Sequence, residues 1–327
     1  MKLSVVATLY NTGPWLAEFH RRVTAVAGKL YGDFEIVLVN DGSPDNALDL
    51  AVALSAADPR VVVVDLSRNF GHHKAIMVGL SAARGDHVFL IDSDLEEPPE
   101  CLEAFDAALQ ETQADVAFGY QVRRRGHALG NISGQLYYWL VNLLADIKLH
   151  PNLVTARLMT RRYVTSLLRH REREMFISGL WAITGYKQVG VPVTKGRNAP
   201  SSYTVGKRLG MLVTSIISFS EKPLVLAALL GASISGSSFL GIIYLFFRRL
   251  AQQRAVPGWA SIVVSIWFVG GLVIFFLGLI GIYISKIFVE VKQRPYAIVR
   301  DVFRGGSSIA ADNPPGQNTR PFGNLLD

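Results

Sequence analysis

Phe89-Leu90-Ile91-Asp92-Ser93-Asp94-Leu95-Glu96-Glu97-Pro98-Pro99 is the stretch that decides the fold. An apolar run enters it and carboxylates leave it at alternate positions. Asp92 and Asp94 then stand at the carboxyl edge of a sheet, with Glu96 one step beyond. Clustered carboxylates repel one another and are costly to gather unless a cation neutralises them. Hard oxygen donors suit Mg²⁺ or Mn²⁺, which keep waters and bridge to substrate phosphates. The alternative is an acidic turn that only caps the helix opening near Pro98, and the apolar strand in front of it weakens that reading.

Working outward, β-branched runs at 3–9, 35–39, 61–66, 87–91 and 115–119 alternate with amphipathic stretches at 14–30, 44–57, 72–83 and 98–110. Pro14, Pro44 and Pro98 or Pro99 stand where helices open. This alternation predicts an α/β domain with a mostly parallel, Rossmann-like sheet covered on both faces, whose ligands bind beyond the carboxyl ends of the strands. Two further strand ends carry polar turns. Val39-Asn40-Asp41-Gly42-Ser43-Pro44-Asp45 offers Asp41 to a ribose hydroxyl or base, with Gly42 permitting close approach, although the same residues are good turn and cap chemistry. Thr8-Leu9-Tyr10-Asn11-Thr12 offers Tyr10 for stacking on a base. No G-x-G-x-x-G follows the first strand and no G-x-x-x-x-G-K-[ST] occurs, so dinucleotide oxidoreductases and P-loop enzymes lose their main support.

The mean hydropathy of +0.28 reflects apolar residues concentrated between Leu224 and Phe288. Residues 224–247 and 260–285 are uncharged runs of 24 and 26 residues, each beyond the ~20 needed to cross a bilayer core. The linker between them holds Arg248, Arg249 and Arg254, whereas ten Lys and Arg flank the pair from outside. By the positive-inside rule both termini and the large domain are cytoplasmic. Residues 202–220 read as an amphipathic interface helix. The expected organisation is a catalytic domain over 1–200, the interface helix over 201–222, a two-helix transmembrane hairpin over 223–288 and a tail over 289–327. The tail's Gly-, Pro- and Asn-rich end, from Gly305 on, reads as disordered. Small residues four apart, Ala232/Gly236 and Ser237/Gly241, suit close helix packing or a homo-oligomer contact, or are ordinary glycine usage. The net charge of +7 suits an anionic lipid or substrate. One cysteine, Cys101, excludes an intrachain disulfide. No secretory signal is visible, and no nucleic-acid partner is expected.

Together these residues resemble the family 2 glycosyltransferases of GT-A fold. The branch they resemble uses polyprenyl phosphates and includes dolichol-phosphate mannose synthase and bacterial undecaprenyl-phosphate glucosyl- and aminoarabinosyltransferases. The likeness runs over residues 2–300 and is carried by 4–11, by 39–43, by Ser67-Arg68-Asn69-Phe70-Gly71-His72-His73-Lys74-Ala75 with Ala83-Arg84-Gly85-Asp86, and by 92–100. It implies a membrane enzyme that passes a sugar from a nucleotide-sugar, UDP-linked first, to undecaprenyl phosphate. The product would be a lipid-linked donor for cell-envelope glycans such as lipopolysaccharide. Thr8, Tyr10, Thr12, Asp41, Lys74, Asp92 and Ser93 would hold the nucleotide, and Asp92, Asp94 and Glu96 the Mg²⁺ or Mn²⁺. Arg123 and Arg125 would grip the acceptor phosphate, helped by Ser133, Arg157, Lys195 and Arg197, unless this basic run only attracts anionic headgroups. The family commonly has Pro at Thr8, an acid at Thr12, Gln at Glu96 and an Asp near Thr155. His72 and His73 are read as loop residues near the nucleotide, and Trp181 as a sugar-pocket wall or a packing residue. Attack by the lipid phosphate would invert the anomeric centre, and that phosphate, already charged, needs no strong base. A processive polysaccharide synthase would carry Gln-x-x-Arg-Trp and more spans. A non-catalytic membrane scaffold would not need the Asp92/Asp94 pair.

Overall fold

The computed structural model describes residues 2–121, 150, 152–173, 175–196, 220, 222–252 and 258–310. The strands are β1 (Leu3–Leu9), β2 (Phe34–Asn40), β3 (Val61–Leu66), β4 (His87–Leu90), β5 (Val116–Tyr120), β6 (Leu153–Thr160), β7 (Gln188–Pro192), β8 (Val299–Arg304) and β9 (Ser307–Ala310). The helices are α1 (Gly13–Leu30), α2 (Ala47–Ala57), α3 (His72–Ala82), α4 (Cys101–Thr112), α5 (Arg161–Leu167), α6 (Ile177–Ile183), α7 (Lys222–Gln252) and α8 (Trp259–Val291). They divide into two compact units, one holding the strands and α1–α6, the other α7 and α8.

The strands form one sheet in the order β7-β5-β6-β4-β1-β2-β3-β8-β9. Its centre, β4-β1-β2-β3, is parallel, and β6 and β8 are the antiparallel neighbours on either side. β1, β2 and β3 are buried along their whole length, as expected of strands covered on both faces. Leu16, Phe19 and Val23 of α1 and Leu102 and Phe105 of α4 pack with Val5, Ala7, Ile36 and Phe89 in one core.

Two expectations are corrected here. Helix α2 starts at Ala47 rather than Pro44. The Asp45 carboxylate accepts from the Ser43 hydroxyl and from the N–H groups of Gly13 and Ala47, so the turn takes the residues that would have begun the helix. The segment expected to be disordered from Gly305 on is ordered as far as Ala310, and 311–327 lie outside the described residues. β8 and β9 form a hairpin through Gly305 and Gly306, at φ 57° and 75°, and β8 pairs antiparallel with β3. Both turn residues lie in the left-handed region that only glycine enters freely, a hairpin signal the composition had masked.

In the second unit, Ser265–Val291 has a mean hydropathy of 2.4 with none of it buried, long and apolar enough by length and composition to cross a membrane. In α7 the described apolar segment is the shorter Lys222–Ile234. Among the described residues, a Cβ on Gly236 or Gly241 would meet nothing within 4 Å, so neither glycine sits in a close helix contact there. Of the expected interface helix over 201–222, residues 201–219 and 221 lie outside the described residues, and Lys222 opens α7.

Strand β8 is tied to the centre of the sheet by charge. Arg300 Nε donates to Asp65 Oδ2 at 2.7 Å, and Asn40 Nδ2 donates to the other oxygen of this buried carboxylate at 2.7 Å. Arg300→Ala leaves Asp65 buried with one partner fewer. A loss of about 1–2 kcal/mol is expected, tempered by the half-exposed guanidinium. Denaturant unfolding of the variant beside Arg300→Lys measures it.

Candidate active site

Parallel pairing brings the carboxyl ends of β4, β1 and β2 side by side, and the polar turns singled out in the sequence gather there. Backbone bonds continue the alignment past the strands: Ile91 N–H donates to the Val6 carbonyl and Asp41 N–H to the Leu9 carbonyl, each at 3.1 Å. Two non-glycine residues at this edge, Asn11 (φ 55°) and Leu95 (φ 59°), sit in the left-handed region. Such strain persists where the surroundings impose it and clusters at functional sites.

His72, at the start of α3, joins two of the turns. Its Nδ1 lies 3.1 Å from Thr8 Oγ1 and its Nε2 3.5 Å from Asp92 Oδ1. Tyr10 is 49% exposed at the tip of β1, free to stack on a flat ring. The buried Thr12 hydroxyl has no hydrogen-bond partner among the described residues. Lys74 lies in the first turn of α3, near enough to oppose the rise in the Asp41 pKa that burial causes.

Three of the expected site residues have partners within the chain. Asp41 is buried and accepts the N–H groups of Phe70 and Gly71, at 2.7 and 3.0 Å, so its carboxylate holds the β3–α3 loop. Gly42 lets that loop close in, since a Cβ there would come within 2.4 Å of Asn69 N. Ser93 is buried and its hydroxyl donates to the Thr8 carbonyl at 2.7 Å, which ties the turn after β4 to the end of β1. Arg157 is only 1% exposed. Its guanidinium donates to the carbonyls of Val154 and Thr155 and lies over the Trp181 ring. Trp181 therefore packs beneath the site. Arg123, Arg125, Ser133 and Arg197 lie outside the described residues.

The residue that sequence reasoning passed over is Glu97. Reading alternate positions selected Asp92, Asp94 and Glu96, yet Glu97 is the fully buried acid. It accepts the N–H groups of Thr155 and Ala156 at 3.1 and 2.7 Å, clamping β6 to the acidic turn. Burial, with Asp92 beside it, pushes its pKa up to about 7. Burial also raises Asp92 to about 6, with Asp94 and Glu96 adding repulsion and a hydrogen bond from Thr155 opposing them. Asp94 is raised by burial too, while its Oδ1 accepts the Glu96 N–H at 2.9 Å. Desolvated carboxylates that resist ionisation fit a site for a hard divalent cation. No group of three or more His, Cys, Asp or Glu among the described residues forms a ready metal cage. That donor set suits an ion that arrives with phosphate oxygens as its remaining ligands.

Residues 4–171 match the family model described as glycosyl transferase family 2. A protein of Mycobacterium tuberculosis (strain CDC 1551 / Oshkosh), named among glycosyltransferases, is 49% identical over 319 residues, 98% of this chain and 93% of its own length. The bactoprenol glucosyl transferase of Shigella phage SfII is 30% identical over 312 residues, 93% of this chain and 99% of its own. Among solved structures, a mannosyltransferase from Pyrobaculum calidifontis in complex with GDP-Man and Mn²⁺ covers 89% of this chain and 86% of its own, at 16% identity and a TM-score of 0.46.

A carboxyl whose folded pKa exceeds its unfolded value destabilises the fold as it ionises, so Asp92 and Glu97 lower stability as pH rises from about 4 to 7. Asp92→Asn removes one such charge and keeps an acceptor for Thr155. Without divalent ions it should unfold about 2–5 °C above the parent chain at pH 8, with the gap closing near pH 4. Thermal unfolding at the two pH values tests this, and equal midpoints at pH 8 would contradict it.

Proposed function

This chain belongs to glycosyl transferase family 2, and we propose that it transfers a sugar from a nucleotide-sugar, UDP-linked first, to polyprenyl phosphate with inversion at the anomeric carbon. The observation that carries the site is the meeting of the β1, β2 and β4 tips, which sets an exposed ring, a loop gripped by Asp41 and a carboxylate cluster along one edge. The acceptor is supported by the phage SfII bactoprenol glucosyl transferase, which matches over 93% of this chain. The product would be a lipid-linked sugar for cell-envelope glycans.

In this reading Tyr10 stacks on the base, while Thr8, Thr12 and Lys74 lie along the nucleotide. The Asp41 carboxylate keeps the loop carrying His72 and His73 against it. Asp92 and Asp94, with Glu96, hold Mg²⁺ or Mn²⁺, which supplies the positive charge that stabilises a departing diphosphate. Buried Ser93, Glu97 and Arg157 keep the acids in place from below, a supporting layer of the kind that fixes ligand orientation. Arg123, Arg125, Ser133 and Arg197 are the proposed grip on the lipid phosphate, with one oxygen left to attack the anomeric carbon.

Chain connectivity supports a two-span membrane hairpin. β8 and β9 follow α8 in the chain yet hydrogen-bond into the sheet built from residues before α7. A sheet occupies one side of a bilayer, so the chain between must cross an even number of times. If Ser265–Val291 crosses, α7 crosses back, and the flanking Lys and Arg put the sheet in the cytoplasm.

The test is purified full-length protein with undecaprenyl phosphate, Mg²⁺ or Mn²⁺ and a panel of radiolabelled nucleotide-sugars, scored for label in the organic phase. Asp94→Ala should lower transfer at least ~100-fold, the scale on which one transition-state electrostatic contact acts, with the folded state retained. Undiminished transfer by that variant would remove Asp94 from the reaction.

A further inference from the structure

The acidic turn carries a cation of its own. After β7 the chain returns across it through residues 193–196: Val193 N–H donates to the Tyr120 carbonyl at 2.9 Å and Gly196 N–H to the Glu96 carbonyl at 2.7 Å. Between these anchors the Lys195 ammonium lies 3.1 Å from Glu96 Oε2 and 3.4 Å from Glu97 Oε1. It also acts on Asp92, opposing the rise in that acid's pKa. Arg157, the other cation buried at this end of the sheet, spends its donors on main-chain carbonyls. Among the described residues, Lys195 is the side chain within ion-pair distance of both Glu96 and Glu97.

We infer that Lys195 is the resident counter-ion of the acidic cluster, competing with a divalent ion for Glu96, so that the ion enters together with a diphosphate and not before it. The inference rests on reading Asp92, Asp94 and Glu96 as the metal site. Like-charged carboxylates need a neighbouring positive charge to remain ionised together, and Lys195 supplies one. An incoming Mg²⁺ or Mn²⁺ meets that charge as a repulsion across a partly desolvated gap, where screening by water is weak. A diphosphate changes the balance, because it brings enough negative charge for both the ion and the ammonium. The lysine, a point charge on a flexible four-carbon stem, can swing from Glu96 to a phosphate oxygen while its backbone stays anchored. The expectation that Lys195 serves the acceptor phosphate thus gives way to a side chain with two positions, one on the acids and one on the donor's diphosphate.

The test needs no sugar transfer. Binding of Mn²⁺ to the full-length protein in detergent is measured at pH 7.5 from the electron paramagnetic resonance signal of the free ion, with and without UDP. Without UDP, Lys195→Met should bind Mn²⁺ at least tenfold more tightly than the parent chain. Lys195→Gln, which keeps a hydrogen bond to Glu96 without the charge and guards against misfolding of the first variant, should do the same. Lys195→Arg should stay within threefold of the parent. UDP should tighten Mn²⁺ binding more in the parent than in the two neutral variants. Mn²⁺ binding by folded Lys195→Met and Lys195→Gln that is no tighter than the parent's would overturn the inference and leave the transferase reading intact. Absence of Mn²⁺ binding by every chain, with and without UDP, would overturn both this inference and the metal assignment.

Discussion

Repulsion among Asp92, Asp94, Glu96 and Glu97, four carboxylates within seven residues of the end of a buried strand, is the constraint around which this end of the sheet is organised. Burial raises the pKa of Asp92, Asp94 and Glu97, so assembling them works against folding at neutral pH. The surrounding structure answers at each oxygen it can reach. Main-chain N–H groups of β6 bind Glu97, the Glu96 N–H binds Asp94, and Lys195 spans Glu96 and Glu97. What these contacts leave unbalanced is negative charge directed at the edge where β1, β2 and β4 end.

The sheet supplies the rigidity that such an arrangement requires. β4, β1 and β2 are parallel neighbours, so their last residues share one edge, and the Ser93 hydroxyl on the Thr8 carbonyl holds two of them in register. On the far side of β2, Asp65 joins Asn40 to Arg300 of β8. Asn40 in turn accepts the Ser43 N–H through Oδ1. A short polar chain thus runs from a strand that follows the long apolar helices to the turn beside Asp41. The C-terminal hairpin is part of the catalytic unit, although the whole of the helical pair separates it from the rest in sequence.

By itself the sequence determined the elements whose signal is local. Val61–Leu66 and Leu3–Leu9 are runs of apolar and β-branched residues bounded by polar turns, and the strands fall on those residues. The long apolar run near the C-terminus and the Asp92–Asp94 signature are likewise contiguous in the chain, and the family resemblance came from short stretches at 4–11, 39–43, 67–86 and 92–100. Tertiary structure alone decided which acids are buried and what each one touches. Glu97 looked like the spare member of an acidic turn because its partners, the N–H groups of Thr155 and Ala156, lie 58 and 59 residues away. The burial of Arg157 and Ser93, and the carbonyls they bind, could not be read from sequence. The glycines of the C-terminal hairpin read as disorder because the hairpin takes its stability from the strand that β8 joins, β3, more than two hundred residues earlier.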